Sequence, residues 1–362
     1  MTRTGRAAVL VTTNTMETWR VDVPDPDPYG VVIRVTLAGV CGSDVHIVNG
    51  VVGEMPFPIV LGHEGVGVLE AAGARVSTDF AGVPVFEGDL VFWTPTGRCG
   101  RCYSCVVLEQ TPCENASYFE DASNPNWGAH ADYVTLPPGH PFFRVPDGTP
   151  PEALAALGCA LPTAVRGVDR IGSIGFGDTV VVQGAGPVGL SSVLVAHASG
   201  AREIIVIDQF PERLAMAMRL GATMTLSLTG TSPQDRLEAV LARCGHNGPD
   251  VVLEAAGVLR AFPEGVNIAG NHGRYSIMGL WGAEGEIEFE PRLLSTKNLS
   301  ISGASFAKPR HYYKAMQLVA QLAPKFPLAE MISHRFSIEN VTDALLTIER
   351  GEAVKAVIDT SL

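Results

Sequence analysis

The pattern of apolar and polar positions divides the chain into two parts with different periodicities. In the part after Cys159, short apolar runs such as TVVVQ and EIIVID are typical of buried strands, and PERLAMAMRLGA and SPQDRLEAVLARCG are typical of helices. Strands that alternate with helices predict a doubly wound parallel sheet. The earlier part has short strands such as VVIRVTLAGV among many Gly and Pro residues, which predicts an irregular antiparallel β-barrel.

One long stretch without charge needs a structural interpretation. Thr179 to Ala201 contains no Asp, Glu, Lys or Arg, so its length alone would fit a membrane span. Three glycines and a proline before Ser199 divide it, however, and a strand, a turn and a helix explain it better. The N-terminus has too short an apolar run for a signal peptide. We therefore expect a soluble, cytoplasmic protein.

Composition and charge narrow the classes of function. The chain has 362 residues, of which 46% are hydrophobic and 18% charged, as in a folded protein of two domains. Its formal net charge of −12 argues against binding to nucleic acid or to an anionic membrane, because either needs a basic surface.

Four of the seven cysteines stand close together in RCGRCYSCVVLEQTPC. Cytosolic chains seldom form disulfides, so clustered thiols indicate metal binding or catalysis. The two-residue gaps let a tight turn direct successive sulfurs at one zinc ion, and four thiolates leave no position for water or substrate. Four unrelated thiols or a single redox pair are the alternatives. The spacing predicts a structural zinc site, with ligands Cys99, Cys102, Cys105 and Cys113.

A second set of potential ligands lies outside that loop, and consists of Cys41, His63 and Cys159. Two cysteines and one histidine are a ligand set of catalytic zinc, whose fourth position stays open. Asp44 could orient the imidazole through a hydrogen bond. Three more polar residues near this set could take part: the Ser43 hydroxyl, the His46 imidazole as a base, and Glu64 as an alternative ligand or electrostatic partner.

A glycine motif follows the first strand of the second part. GAGPVG reads as G-x-G-x-x-G at the start of a helix, where the first two glycines permit a tight turn and close contact with a pyrophosphate. Asp208 ends the next strand, where a carboxylate accepts both ribose hydroxyls of NAD and repels a 2′-phosphate. The residues predicted for this contact are Gly184, Gly186, Pro187, Val188, Gly189 and Asp208.

These motifs occur in the order found in the zinc-dependent medium-chain alcohol dehydrogenases, which the sequence resembles over nearly its whole length. The carriers of the resemblance are GHEGVG, the four-cysteine segment, GAGPVG and the aspartate after the second strand. The resemblance implies a GroES-like catalytic domain over 1–160, with a zinc lobe at about 96–115. It also implies a Rossmann NAD-binding domain over 161–303 and a C-terminal segment, 304–362, that completes the catalytic domain.

The resemblance also implies roles for single residues. Cys41, His63 and Cys159 match the catalytic-zinc ligands, and Ser43 and His46 match the proton relay. Asp44 and Glu64 match residues around the metal. Two basic residues match cofactor contacts: Arg213 near the adenosine ribose and Lys355 at the pyrophosphate. Where some relatives carry an arginine after the first zinc cysteine, this chain has Gly42, so that phosphate contact is missing.

The expected activity is hydride transfer between a primary or secondary alcohol and NAD, with two zinc ions per chain. A finer resemblance, carried by DFAGVPVFEGDLVFW and LGCALPT, is to dehydrogenases of cyclic terpenoid alcohols such as hydroxycamphor and to a phosphonate-associated subgroup. Trp93, Trp127, His130 and Leu161 are candidate walls of the substrate pocket, or ordinary core residues.

Two other functions stay open at this point. Polyol and amino-alcohol dehydrogenases of the family often carry a carboxylate where Cys159 stands, and a non-enzymatic zinc protein would need no open ligand set. Related enzymes associate through the cofactor domain near GRYSIMGLWG. We therefore expect a homodimer or a homotetramer.

Overall fold

A computed structural model describes residues 3–53, 55–108, 113–115 and 128–362, without the side chain of Trp281. The contacts within the chain divide it into two compact units. Unit 1 comprises 1–159 and 308–362, and unit 2 comprises 160–307. None of the helices among the described residues is long and apolar enough to cross a membrane.

Unit 1 is built mainly from antiparallel strands, in the irregular manner that its short apolar runs predict. A three-stranded sheet has the order β2-β1-β4, and a seven-stranded sheet has the order β15-β16-β3-β5-β6-β8 with β7 paired to β3. The strands of unit 1 are β1 Arg3–Thr12, β2 Thr15–Val23, β3 Val31–Val40, β4 Ile59–Val60, β5 Gly65–Ala72, β6 Leu90–Trp93, β7 Tyr133–Leu136, β8 Phe142–Arg144, β15 Ile332–Phe336 and β16 Lys355–Asp359.

The helices of unit 1 connect and cover these strands. Its core is formed by inward-facing aliphatic residues of the strands, such as Ile33, Leu69 and Ile358. The helices are α1 Gly42–Val48, α2 Tyr103–Val106, α3 Pro151–Leu157, α10 Pro309–Leu322 and α11 Val341–Glu349, with 3₁₀ turns at Leu328–Met331 and Ile338–Asn340.

Unit 2 contains the predicted parallel sheet of six strands in the order β11-β10-β9-β12-β13-β14. Every pairing in it is parallel, and its central strands are buried, so their sequences are near-continuous Val, Ile and Leu. The strands are β9 Thr179–Gln183, β10 Glu203–Asp208, β11 Met224–Ser227, β12 Val251–Glu254, β13 Arg274–Ile277 and β14 Ser300–Gly303. The helices are α4 Ala160–Arg170, α5 Pro187–Ala198, α6 Pro211–Arg219, α7 Pro233–Cys244, α8 Ala261–Ile268 and α9 Arg292–Thr296, with a 3₁₀ turn at Gly279–Gly282.

The uncharged stretch from Thr179 to Ala201 is explained by this sheet. It forms β9, the glycine turn and α5, and eight of the twelve residues of α5 are buried. A helix that packs against a parallel sheet and other helices needs apolar residues on most of its faces. The strand order reverses between β9 and β12, and nucleotides bind at the carboxyl ends of strands at such a point.

Candidate functional site

Strand pairing in unit 1 brings together ligands that are far apart in sequence. Cys41 follows the last residue of β3, and His63 and Glu64 precede the first residue of β5. Because β3 and β5 run antiparallel with Ala38 opposite Gly65, the end of one lies beside the start of the other. Cys159 stands between α3 and α4. The ligand atoms of Cys41, His63, Glu64 and Cys159 all lie within 4.8 Å of one another.

The His63 imidazole is held between two polar groups. Its Nδ1 lies 3.0 Å from Asp44 Oδ1, and its Nε2 lies 3.2 Å from Ser43 Oγ. A carboxylate accepts hydrogen bonds only, so Nδ1 donates to Asp44, and Nε2 is the ring nitrogen at which a metal can bind in place of a second proton. The second Asp44 oxygen accepts the backbone N–H of Cys41 at 2.9 Å, which joins two ligand-bearing segments.

The electrostatics of this group favour charged side chains. Burial by itself raises the pKa of Asp44, but the charge and hydrogen bond of His63 bring it down to about 2. Burial likewise lowers the pKa of His63, and Asp44 outweighs it, so the net shift is upward. The sulfurs of Cys41 and Cys159 lie 3.8 Å apart and share a hydrogen bond, which lowers the pKa of Cys41 and raises that of Cys159. The shared hydrogen bond therefore favours ionisation of Cys41 over that of Cys159.

Lys355 also lies in this cluster, while the pyrophosphate contact that the resemblance implies for it stays a prediction. Its side chain is 1% exposed, and its ammonium forms an ion pair with Glu64 and donates to the Val40 carbonyl at 3.2 Å. The reason is its strand: β16 lies between β15 and β3, and all five of its residues are buried. The Lys355 ammonium therefore pairs with a carboxylate of the ligand cluster in unit 1.

Two glycines next to Glu64 were not recognised from the sequence. A Cβ at Gly39, in β3, or at Gly158, between α3 and Cys159, would overlap the Glu64 carboxylate. Gly158 also has a positive φ of 36°, which L-residues with side chains rarely adopt. The motif LGCALPT contains Gly158, but its contact with Glu64 spans 94 positions and has no local signal.

The four-cysteine segment forms a second group of ligands. The sulfurs of Cys99, Cys102, Cys105 and Cys113 lie within 4.8 Å of one another, and Gly100 has a positive φ of 67° at the turn between the first two. Backbone N–H groups of Cys99 and Asn115 point at the Cys113 sulfur, at 3.4 and 3.3 Å. N–H donors of this kind stabilise thiolates.

The pKa values in this segment differ from thiol to thiol. A hydrogen bond from the Arg101 backbone lowers the pKa of Cys99 to about 6. Burial raises the pKa of Cys113 to about 11, against the effect of its N–H donors. Cys105 has a lowered pKa, because hydrogen bonds from Cys113 and the Gly100 backbone outweigh its desolvation.

In unit 2 the glycine motif forms the turn between β9 and α5. Gly184 has a positive φ of 91°, and Gly186 is the N-cap of α5, with Pro187 as the first helical residue and Val188 as the second. A Cβ at Gly189 would overlap the carbonyl of Gly184, so the third glycine permits the close packing of helix and strand.

Asp208 connects this turn to the end of β10. Its Oδ2 accepts the N–H of Ala185 at 2.6 Å, and its Oδ1 accepts the N–H groups of Gln209 and Phe210 at 2.6 and 2.9 Å. The carboxylate therefore holds the glycine turn in place, a role that the sequence does not reveal. A cavity of about 480 Å³ opens beside Gln209, and other residues of its lining are Leu228, Thr229, Arg260 and Asn267.

Arg213 lies near this carboxylate with its guanidinium 4.5 Å from the centre of the Phe210 ring. This is the distance of a cation–π contact. Burial lowers the pKa of Arg213, against the attraction of Asp208 and Glu212. The guanidinium is thus packed beside the end of β10.

The remaining predicted positions are placed as follows. Ser43 and His46 are three residues apart on α1, so both lie on one face of that helix. Trp93, His130 and Leu161 are buried, with exposures of 2%, 0% and 1%. Trp127 lies outside the described residues.

The donor chemistry of both groups in unit 1 fits zinc. Thiolate sulfur and imidazole nitrogen are its preferred protein ligands, and four mutually close donors are the number that a tetrahedral ion takes. The four-cysteine segment could hold a closed, structural ion. Cys41, His63 and Cys159 could hold a second ion with one position left for another ligand.

Comparison with known proteins agrees with this geometry. Residues 27–147 match the model of the alcohol dehydrogenase GroES-like domain, and residues 187–321 match that of the zinc-binding dehydrogenase. The chain is 58% identical over 357 residues to 5-exo-hydroxycamphor dehydrogenase of Pseudomonas putida, with 99% of both sequences covered.

Two solved structures are also similar over almost their whole length. An alcohol dehydrogenase from Thermotoga maritima superposes with a TM-score of 0.93 at 30% identity, covering 99% of both chains. A zinc-binding dehydrogenase from Sinorhizobium meliloti, solved with NADP bound, superposes with a TM-score of 0.86 at 28% identity and the same coverage.

Proposed function

The chain belongs to the zinc-dependent medium-chain alcohol dehydrogenase family, and from its site we propose that it oxidises a cyclic secondary alcohol to a ketone with NAD. The observation that carries this proposal is the convergence of Cys41, His63 and Cys159 in unit 1, a donor set that leaves one position for substrate. The alcohol loses a proton and a hydride, and NAD⁺ becomes NADH.

The residues around the metal ligands have separate roles in this reaction. Zinc, when held by Cys41, His63 and Cys159, supplies Lewis acidity to an alcohol oxygen, and bound NAD accepts hydride. Asp44 fixes the His63 ring and keeps its Nδ1 protonated through the 3.0 Å contact. The Ser43 hydroxyl lies 3.2 Å from Nε2, beside the metal-binding atoms, where it can take the alcohol proton at Oγ and pass it toward His46.

Unit 2 supplies the dinucleotide site. The turn Gly184–Gly189 offers backbone N–H groups at the start of α5 to a pyrophosphate. We assign the ribose hydroxyls to Asp208, which contacts the glycine turn through Ala185, and the cavity beside Gln209 is of a size to take the adenosine end. A carboxylate there disfavours a 2′-phosphate, so we infer a preference for NAD although the similar Sinorhizobium enzyme was solved with NADP.

The substrate class follows from the relative with the greater identity. At 58% identity over 99% of the chain, similarity to a hydroxycamphor dehydrogenase favours a ring-bound secondary alcohol. Leu161 is two residues after Cys159, and the Trp93 ring lies against Gly65, so both are apolar residues near the ligand segments that suit such a substrate.

A panel of alcohols tests this assignment. Steady-state kcat/KM is measured for ethanol, 1-hexanol, 2-propanol, cyclohexanol, borneol and the exo and endo hydroxycamphors, with NAD and NADP. We expect the bicyclic alcohols to exceed ethanol by about a hundredfold, since a fitted apolar pocket gains about 1–3 kcal/mol for each small group. Equal turnover of ethanol would contradict the substrate class, and no oxidation of any alcohol would contradict the function.

The polyol and amino-alcohol alternative has less support. Its enzymes often place a carboxylate at the third ligand position, and Cys159 places a sulfur there, 3.8 Å from that of Cys41. Threonine, sorbitol and glycerol belong in the same panel. A kcat/KM for any of them above that for borneol would favour the alternative.

We further propose that the two units are the two functional domains, with limits near 1–160, 161–303 and 304–362. We infer a homodimer or homotetramer formed through the β14 side of unit 2. Among the described strands, β14 pairs only with β13 and offers an open edge. Light scattering that reports a monomer at micromolar concentration would contradict this.

Free thiols at all seven cysteines suit the reducing cytoplasm, and we propose that the protein is located there.

A further inference from the structure

The cavity of about 480 Å³ in unit 2 is lined in part by a buried ion pair that the proposed function does not use. Arg236, in α7, and Glu264, in α8, both line the cavity, and their side chains are only 5% and 14% exposed. Nε and Nη2 of Arg236 donate to the two carboxylate oxygens of Glu264, at 2.7 and 3.0 Å. The pair therefore connects two helices at the lining of the cavity.

The same guanidinium also holds the loop between β11 and α7, residues 228–232. Nη1 donates to the Thr231 carbonyl at 2.7 Å and to the Thr231 hydroxyl oxygen at 3.0 Å. At the other end of the loop, the Leu228 N–H donates to the Asp208 carbonyl at 2.9 Å. Three residues of this loop line the cavity. The loop is therefore fixed to β10 at one end and to Arg236 at the other.

The stability of the helices does not by itself account for an ion pair at this place. Removing two charges from water costs free energy that their attraction often only just offsets, so well-packed apolar side chains of similar volume are often as stabilising. The start of α7 has its own cap, since the Ser232 hydroxyl accepts the N–H of Asp235 at 3.1 Å. An apolar pair could not donate the two hydrogen bonds to Thr231. The loop thus depends on the guanidinium more than the helices do.

We propose that Arg236 is a positioning residue for the adenosine half of the dinucleotide. Held by Glu264, it fixes the loop 228–232 so that the cavity keeps the shape that binds adenine. This inference rests on the proposed function, because it presupposes that the cavity takes the adenosine end of NAD. Without the guanidinium, the loop loses two of the hydrogen bonds that order it, and a loop that must be ordered on binding lowers the affinity for the ligand.

The test measures the two halves of the cofactor separately, by calorimetric titration of the zinc-loaded protein. Adenosine monophosphate (AMP) is the probe of the adenosine half, and reduced nicotinamide mononucleotide is the probe of the nicotinamide half. Arg236→Met removes the guanidinium, and Arg236→Met/Glu264→Leu also replaces the carboxylate that is otherwise left buried and unpaired. Arg243→Met is the matched control, because it removes an arginine–glutamate pair, with Glu203 at 2.8 Å, from the opposite end of α7.

We expect AMP to bind Arg236→Met at least about tenfold more weakly than the unchanged protein, the equivalent of one lost hydrogen bond to a charged group. Reduced nicotinamide mononucleotide should bind within about twofold of its affinity for the unchanged protein. In the double variant, the free energy of unfolding should recover because no charge is left unpaired, while AMP binding should stay weak because Thr231 still lacks its donor. Arg243→Met should bind both probes normally.

Three results would overturn the proposal. The first is unchanged AMP affinity in Arg236→Met. The second is a double variant that regains AMP affinity together with stability, since the ion pair would then only stabilise the fold. The third is an equal loss of affinity for both probes in Arg236→Met, which would indicate a general disturbance of unit 2.

Arg236→Lys provides a second route if Arg236→Met does not fold. The lysine keeps a positive charge opposite Glu264, but a single ammonium cannot reproduce the fork of donors that reaches both Glu264 and Thr231. AMP binding should therefore weaken at least about fivefold, with reduced nicotinamide mononucleotide unaffected. Normal AMP binding in Arg236→Lys would contradict the proposal.

The unchanged protein separates the two possible failures. If AMP does not bind it, or does not compete with NAD, the cavity is not the adenosine site, and that part of the proposed function fails together with this inference. If AMP binds and competes with NAD while Arg236→Met binds AMP normally, only the inference fails.

Discussion

Asp208→Ser tests the cofactor site most directly, because this carboxylate holds the glycine turn and is the residue that we propose binds the ribose. Its three backbone hydrogen bonds hold the glycine turn and the start of the next segment, and two carboxylate oxygens can accept further hydrogen bonds from ribose hydroxyls. Substitution by serine removes the charge and most of the hydrogen bonds that hold the turn. Both the affinity for NAD and the repulsion of NADP should therefore change.

The magnitudes follow from these two tasks. Hydrogen bonds from the ribose hydroxyls to a charged carboxylate contribute about 1.5–3 kcal/mol, so kcat/KM for NAD should fall by about ten- to hundredfold. In the unchanged protein, the contact between the carboxylate and a 2′-phosphate costs several kcal/mol of NADP binding free energy. Asp208→Ser removes this repulsion, and the gain should offset the loss of NADP affinity caused by the less ordered turn. We expect the NAD to NADP ratio to shrink from about a hundredfold or more to less than about tenfold.

The assay is steady-state kcat/KM with each cofactor at saturating alcohol, with fluorescence titration of NADH and NADPH for the binary complexes. Glu212→Gln is the matched control, because it removes one negative charge from the first turn of α6, four residues after Asp208, and leaves Asp208 unchanged. The ratio of kcat/KM for NAD to that for NADP in Glu212→Gln should stay within about twofold of the ratio in the unchanged protein. Arg213→Ala in the Asp208→Ser background should reverse the gain in kcat/KM for NADP, since the Arg213 guanidinium is the cation beside this position. Equal use of both cofactors by the unchanged protein would refute this reasoning, as would an unmoved ratio in Asp208→Ser.

Three further substitutions test other parts of the molecule. Cys102→Ser should reduce the metal content from two zinc ions to one and lower Tm, as seen by elemental analysis and calorimetry, with kcat per folded enzyme nearly unchanged. Ser43→Ala should keep both metals and lower kcat by about a hundredfold or more, the usual loss for a proton-transfer group. Glu254→Ala should lower the free energy of unfolding by about 1–3 kcal/mol in urea titrations, because the buried carboxylate accepts N–H groups of Ala256, Gly257 and Gly279. A variant whose metal content, kcat or free energy of unfolding, respectively, equals that of the unchanged protein would contradict the role assigned to its residue.

The parts of the fold that depend on local sequence could be predicted. The alternation of Val- and Ile-rich runs with amphipathic segments predicts the parallel sheet of unit 2, and β9 begins and ends at the predicted residues, Thr179 and Gln183. The four-cysteine loop is equally local, since its ligands lie within 15 positions. In both cases a short stretch of chain determines its own structure.

The contacts made through strand register could not be predicted. Lys355 pairs with Glu64 across 291 positions because β16 and β5 lie on opposite sides of β3. The resemblance implies only a pyrophosphate contact for the lysine in GEAVKAVI and says nothing of Glu64. The uninterrupted apolar character of AVKAVI was the available signal, since it indicates a strand buried on both faces. The roles of Gly39 and Gly158 depend on the same register and leave no local signal.

The two ligand groups differ in what holds them together, and this difference assigns their functions independently of their cysteine counts. None of the four residues of α2 in the lobe is buried, so an ion in that lobe must supply much of its folding energy. Cys41, His63 and Cys159 are instead placed by β3, β5 and α3, elements packed in the core of unit 1. A set whose positions are fixed by the fold can keep one ligand position empty without collapsing onto the ion. That is the property an ion needs in order to bind and release substrate in every turnover.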